Sequence, residues 1–169
     1  MTGLDVLKNI ADKVSDKFEA MTGKKVFFCA GYDSEINNRL TILATGQQNI
    51  YPLIAVVIPE LNTYDPNDDN YVECQFSRVV FATSTNANLT LEERMYANFT
   101  PILTPVCELF LKELKSNRNV KADNTKITTT NIPFYSENNN KSNTYNNMLD
   151  GIVIRNFKFS ILTKKCDGQ

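Results

Sequence analysis

The sequence predicts an α+β fold: a mainly antiparallel sheet covered by an N-terminal helix and a proline-kinked pair of central helices. Near the amino terminus, apolar residues recur every three or four positions, which is typical of an amphipathic helix. Later runs alternate apolar and polar residues or are apolar throughout, as strands are. No linker-like composition divides the 169 residues, so we expect one domain over 1–169 with long polar loops at 61–70 and 117–150.

The first helix is predicted over residues 3–22. Thr2 is its expected N-cap, Asp5 lies in the first turn, and Gly23 is a natural stop. The apolar stripe consists of Leu4, Leu7, Ile10, Ala11, Val14, Phe18 and Met21. A helix with one apolar stripe buries it against another element, most simply the sheet of its own domain.

Three strands are expected within the first 60 residues. Residues 24–32 form one, and residues 36–44 are interpreted as a short strand because their centre alternates polar and apolar residues. Residues 51–60 form the third strand, which has apolar residues at both odd and even positions. It should therefore be covered on both faces of the sheet, with Pro59 as its end. The polar segment 61–70 is interpreted as a loop.

A long strand is predicted over residues 71–84. Its apolar residues change phase near Ser77, which indicates a β-bulge or bend. Thr90 and Glu93 then form a capping box, which marks the start of a helical region over 91–116. This region should be kinked, because each of its two prolines removes a backbone donor, and a second helix should begin near Pro105.

The last third of the chain is polar before it becomes apolar. Residues 117–150 lack apolar periodicity, although 126–135 can hold a short strand. The closing segment 151–165 is predicted to be a strand with a second phase change near Arg155. Large core residues are expected at Phe28, Ile54, Val56, Val80, Phe81, Phe110, Ile154 and Phe157.

Charge and cysteine content bear on partners and chemistry. The net charge of −1 argues against broad, sequence-independent nucleic-acid binding, which needs a basic face. The four cysteines, Cys29, Cys74, Cys107 and Cys166, are far apart in sequence and are expected to be free thiols. The amino terminus lacks an apolar signal run, and the longest apolar run is too short to cross a membrane as a helix, so we expect neither secretion nor a membrane partner.

No catalytic or metal-binding signature is evident, and the chain has no histidine. The acidic segment 65–70 could attract calcium, but it lacks the EF-hand glycine and closing glutamate, so a solvated turn is preferred. Glu92, Glu93 and Arg94 could suggest acid–base chemistry, but a capped helix start explains them. The sequence therefore predicts a protein that works by contact, is not an enzyme and binds no cofactor.

Candidate interaction residues lie in the polar segments and on one strand. Arg78 is notable because an arginine within an apolar strand needs an acidic partner if it is buried. That partner could belong to its own chain or to a neighbouring subunit, while an exposed position is the simpler reading. The full candidate set is Tyr64, Asp65, Asp68, Asp69, Arg78, Asn139, Lys141 and Tyr145.

Three segments together resemble a known family. They are YPLIAVVIPE at 51–60, VECQFSRVVFATSTNANLTLEERMYANFTPIL at 72–103, and LDGIVIRNFKFSI at 149–161. With the leading amphipathic helix, they are similar in order to the neck and tail-completion proteins of tailed bacteriophages, including the tail terminators. The resemblance spans residues 3–165.

The resemblance implies a virion structural protein that forms a homomeric ring at the head–tail junction or tail end. Such a ring has six or twelve subunits, joins other phage neck and tail proteins, and passes genomic DNA through its lumen. The implied location is the virion neck or tail, and the host cytoplasm during assembly. Two alternatives stay open: a stand-alone adaptor or regulatory binding domain, and a small enzyme with an unmarked site.

We predict that the native, unreduced protein carries four free thiols and no bound metal. Thiol titration after denaturation without reductant and elemental analysis of the native protein test this. Fewer than four reactive thiols, or stoichiometric zinc or calcium, would contradict it.

Overall fold

A computed structural model describes residues 2–46, 50–121, 126–135 and 148–162. Within these ranges the fold is α+β, with a curled, mixed sheet of six strands. The strands are β1 Phe27–Gly31, β2 Leu53–Asp65, β3 Asp68–Ser84, β4 Val120–Lys121, β5 Thr129–Ile132 and β6 Leu149–Leu162. Their order is β1-β2-β3-β6-β4, with β5 also paired to β6. The β1–β2 pair is parallel and the other pairs are antiparallel, as the prediction of a mainly antiparallel sheet requires.

The helical segments are α1 Gly3–Thr22, α2 Asp33–Thr45, α3 Leu91–Arg94, a π-helical segment Met95–Leu103, and α4 Thr104–Ser116. None of the helices in the described ranges has the length and apolar character needed to cross a membrane.

Helix α1 begins and ends as the sequence predicts. Thr2 Oγ1 accepts a hydrogen bond from Asp5 N at 3.1 Å, and Asp5 Oδ2 accepts one from Thr2 N at 2.8 Å, which completes a capping box. Gly23 closes the helix at φ 73°, a left-handed conformation that glycine adopts without strain. Met21, expected in the buried stripe, is instead 67% exposed because the last turn lies past Phe18, the final buried residue.

A second anchor holds the start of α1 on the sheet. The Glu60 carboxylate on β2 accepts hydrogen bonds from Gly3 N at 2.9 Å and from Leu4 N at 3.2 Å. These N–H groups have no partner within the helix, and a carboxylate also suits the positive end of the helix dipole. A Cβ on Gly3 would lie 2.9 Å from Cys74 Sγ, so the close approach requires glycine.

The strand predicted at 36–44 is wrong, because this segment lies in α2. Ile36 and Leu40 are buried four residues apart, and Leu43 packs beside them, which is helical spacing. Glu35 Oε2 also accepts a hydrogen bond from Tyr32 N at 2.8 Å, which supports the helix start. The alternation in the sequence was misleading, since Ile42 is exposed.

The loop predicted at 61–70 is also wrong. Strand β2 runs on to Asp65, β3 begins at Asp68, and a two-residue turn joins them. Pro59 does not end β2. Since β1 pairs with β2 only as far as Val57, the N–H group that Pro59 lacks is not needed for pairing with β1. The register between β2 and β3 shifts by one residue between Val57 and Glu60.

The two predicted phase changes are confirmed and lie side by side. Phe76 and Val79 face the same core although three positions separate them, and so do Ile154 and Phe157 on β6. Asn156 adopts φ 49° at this level of the sheet. The irregularities of adjacent strands therefore form one row, at which the sheet bends.

The central region stays helical through both of its prolines. The chain is helical from Leu91 to Ser116, and the Met95–Leu103 stretch has the wider π-helical turn. Thr104 N donates to Phe99 O, five residues back, where an α-helix would use the fourth. The wider turn accommodates the Pro101 ring, and α4 begins at Thr104 with Pro105 in its first turn, as predicted for the second helix, with no non-helical residue before it.

Core residues pack on both faces of the sheet. One face meets α1, the π-helical segment and α4, and the other meets α2. Phe110 of α4 contacts Phe81 edge-to-face at a centroid distance of 5.3 Å and Phe157 at 6.1 Å. Every predicted core residue is buried except Phe28, which packs against the core while partly exposed.

We predict that Phe81→Ala and Phe110→Ala each lower the free energy of unfolding by about 3–5 kcal/mol, because each leaves a cavity in the same aromatic cluster. Their coupling in a double-mutant cycle should be about 0.5–1.5 kcal/mol, the usual range for an edge-to-face pair. Urea unfolding measures both quantities. Tyr96→Ala is the control, since this side chain is exposed, and a comparable loss in that variant would contradict the assignment.

Candidate interaction surface

The β2–β3 hairpin extends past the neighbouring strand. β1 pairs with β2 from Leu53 to Val57, while β2 continues to Asp65. In the part of the chain that the structure describes, β3 is the only strand paired with β2 beyond Val57. Residues 61–67 are all exposed. One edge of β2 is therefore open to solvent over about half of its length.

The backbone of this edge directs hydrogen-bonding groups outward. Leu162 N donates to Asn119 O at 2.9 Å, so Leu162 faces the β4 side. Because the bonding direction alternates along a strand, Ile161 faces β3, and its partner Val72 faces β6. Tyr64, opposite Val72 on β2, therefore points its N–H and C=O away from β3. Asn62, two positions earlier on β2, directs its N–H and C=O away from β3 in the same way.

Four predicted interaction residues lie at this hairpin. Tyr64 is 71% exposed, and Asp65 is exposed beside it. Asp65 Oδ1 accepts a hydrogen bond from Asn67 N at 2.9 Å, and its backbone pairs with that of Asp68 across the turn. Asp69 follows on β3. Leu61, which the prediction omitted, is 55% exposed on the same strand.

The structure places Arg78 apart from the hairpin tip. Its guanidinium is half-buried, forms an ion pair with the Asp33 carboxylate, and donates from Nε to the Tyr135 hydroxyl at 3.2 Å. Burial alone would lower the pKa of Arg78, but the Tyr135 and Asp33 groups outweigh it and raise the pKa above the usual range. Of the partners considered from the sequence, the acid of its own chain is the one present. Asn139, Lys141 and Tyr145 lie outside the described residues.

A buried polar cluster lies at the base of the central helical region. Arg94 and Asp150 are both fully buried and form an ion pair at 2.9 Å. The Arg94 guanidinium also donates to Leu89 O at 3.0 Å, to Thr85 Oγ1 at 2.7 Å, and to Asn86 O. All of its nitrogens are therefore satisfied, as a buried charge requires.

Asp150 is equally well satisfied. Its carboxylate accepts hydrogen bonds from Asn98 Nδ2 at 2.7 Å and from Phe134 N at 3.1 Å. The Phe134 ring lies against the Arg94 guanidinium, 3.3 Å from Cζ to the ring centroid, and Phe134 has φ 54°. This unusual backbone conformation is held in place by contacts to both members of the ion pair. The cluster thus joins the β3–α3 loop, the helix, β6 and the turn at 133–135.

Sequence reasoning missed this cluster. It interpreted Arg94 as part of a capped helix start and assigned it no buried partner. The available signal was the four-residue spacing of Arg94 and Asn98, which puts both on one helical face with Phe99 beside them. Their partner Asp150 is the only acidic residue within the apolar closing strand.

A polar cleft of about 350 Å³ lies next to Asn98. Its described lining includes Lys24, Tyr51, Thr83 and Ser84. The described lining residues can donate and accept hydrogen bonds, and they include one ammonium, that of Lys24, and no carboxylate.

Three cysteines are free and buried, as predicted: Cys29, Cys74 and Cys107. Burial raises the pKa of each thiol to about 12, so none is a ready nucleophile. Cys166 lies outside the described residues. Across the described ranges, no group of three or more His, Cys, Asp or Glu side chains is placed to hold a metal ion.

Comparison with known proteins identifies no matching family model, curated protein or solved structure.

We predict that Arg94→Met and Asp150→Asn each cost about 3–5 kcal/mol of unfolding free energy, because each leaves a buried partner without its counter-charge. The exposed pair Lys8–Asp12, at 3.0 Å, is the control, and Lys8→Met should change stability by less than about 0.5 kcal/mol. Chemical denaturation measures the difference. Equal effects in the two pairs would show that the buried cluster does not hold the fold together.

Proposed function

We propose that this chain is a virion structural protein of a tailed bacteriophage. In this proposal it forms a homomeric ring of six or twelve copies at the head–tail junction or tail end, resembling a tail terminator. The ring joins the neighbouring neck and tail proteins, and the genomic DNA passes through its lumen. The chain works by contact and is not an enzyme.

The open edge of β2 is the observation that carries self-association. Monomeric proteins usually protect such an edge with lysine or proline, with a very short strand, or with a covering segment. The open edge has one proline, Pro59, at its beginning, and the six residues that follow it, Glu60–Asp65, contain neither lysine nor proline. It also exposes Leu61 and Tyr64. A surface of this kind supports a role in which another protein chain completes the edge.

The assignment to a phage comes from the sequence resemblance. The features that carry it are, in order, a leading amphipathic helix, the apolar strand at 51–60, an acidic segment, the strand and capped helix at 72–103, and an apolar closing strand. The α+β architecture is compatible with such a subunit, since α1 and α4 cover one face of the sheet and leave the hairpin free to reach a neighbour.

The adaptor alternative uses the same surface in a different way. An open strand edge can also receive an extended segment of an unrelated protein. In that case the purified chain would be a monomer, and the edge would be occupied only when the partner is present. The oligomeric state therefore distinguishes the two functions.

We predict that the purified chain assembles into a ring with a mass six or twelve times the 19.1 kDa of one subunit. Native mass spectrometry gives the copy number, and negative-stain electron microscopy shows whether a lumen is present. A stable monomer at concentrations of about 100 μM would favour the adaptor and contradict the ring.

A further inference from the structure

We propose that the hairpin of one copy docks into a groove on the outer face of α4 in the next copy, with Tyr64 as the anchor. This inference rests on the proposed ring and identifies the surface that receives the hairpin. Ring contacts are heterologous, so the two halves of the interface must be different patches of the same chain.

The receiving groove lies near the carboxyl end of α4. It has a volume of about 530 Å³ and is lined by Glu108, Leu111, Lys112, Lys115 and Ser116. Leu111 is half-buried and forms its apolar part, while the two lysines are exposed. Such a groove offers apolar contact inside and positive charge at the rim.

Tyr64 has the properties of an anchor for this groove. Tyrosine is enriched among the residues that dominate interface energetics, because it buries a large ring and keeps a polar tip. The Tyr64 side chain is mostly exposed on the described surface, so docking would remove much of its ring from water. Its ring suits the Leu111 side chain, and its hydroxyl suits the lysine rim.

Charge complementarity identifies the partner as a second copy. From Glu60 to Val72 the sequence has Asp65, Asp68, Asp69 and no lysine or arginine, and the Glu60 carboxylate is engaged with the start of α1. The groove side carries Lys112 and Lys115, with exposed Arg118 just beyond α4, and these three cations outnumber the one carboxylate of the described lining, Glu108. Opposite charges on two patches of one chain favour head-to-tail association of identical subunits.

The positions of the two patches also suit a closed ring. Tyr64, Val72, Ile161 and Val120 form one row across the sheet, from the open edge of β2 to β4. α4 packs against β4, so the hairpin and the groove lie at the same level on opposite edges. Tyr64 also shares a face with Val72, which packs on the helical side of the sheet. A rotation about an axis along the strands therefore brings the two patches together without an axial shift.

The first test compares two tyrosines of equal exposure. Tyr64→Ala should weaken ring assembly at least tenfold in a dilution series followed by mass photometry. Tyr96→Ala should assemble like the unmodified chain, because Tyr96 is 72% exposed but lies on the π-helical segment, away from both patches. Circular dichroism checks that both variants stay folded. A Tyr64→Ala ring as stable as the Tyr96→Ala ring would overturn the inference.

The second test is a cross-link and does not depend on loss of assembly. In a Cys166→Ser background, the double variant Tyr64→Cys/Lys112→Cys should form covalent oligomers of several chains under mild oxidation. Each single variant should not form this ladder, and a mixture of the two single variants should stop at covalent dimers. Absence of the ladder in an assembled ring would overturn the docking inference while the proposed ring stands. A monomeric unmodified chain would overturn both.

Discussion

The fold depends on a pair of charges that lies entirely inside it. Removing Arg94 and Asp150 from water is costly, and it is tolerated because each hydrogen-bonding group of the pair has a partner. Several of these partners belong to the β3–α3 loop and to the turn containing Phe134, which lie outside the regular strands and helices. The ion pair therefore fastens these two connections to β6 and to the central helical region.

A row of irregularities divides the sheet into two halves. On one side of this row, near Val57, Ser77 and Asn156, helices cover both faces and most strand positions are apolar. On the other side β1 has ended, and among the described residues helices cover only the face toward α1 and α4. The second half therefore combines a buried apolar face with open backbone groups on β2 and exposed side chains that can serve recognition.

The sequence predicts the periodic elements well and the polar ones poorly. Local patterns can be predicted from the sequence because all of their residues are close together in the chain. Examples are the capping boxes at Thr2 and Thr90 and the phase change near Ser77. The hairpin at 61–70 was missed because an edge strand in solvent has no apolar alternation to show. The buried ion pair was missed because Arg94 and Asp150 are far apart in sequence, and only the fold brings them together. Tyr64 and Asp65 were selected for their polarity, and their position on an open strand edge was not foreseen.

The open edge of β2 also has a consequence for solubility. A chain released from the ribosome exposes Leu61, Tyr64 and free backbone donors before any neighbour is present. If the proposed ring closes, the hairpin of every copy is covered and growth stops, whereas an addition at the wrong angle leaves one hairpin uncovered and allows growth to continue as a filament. In that proposal, the rate of ring closure relative to filament growth sets how much of the protein remains soluble at high expression.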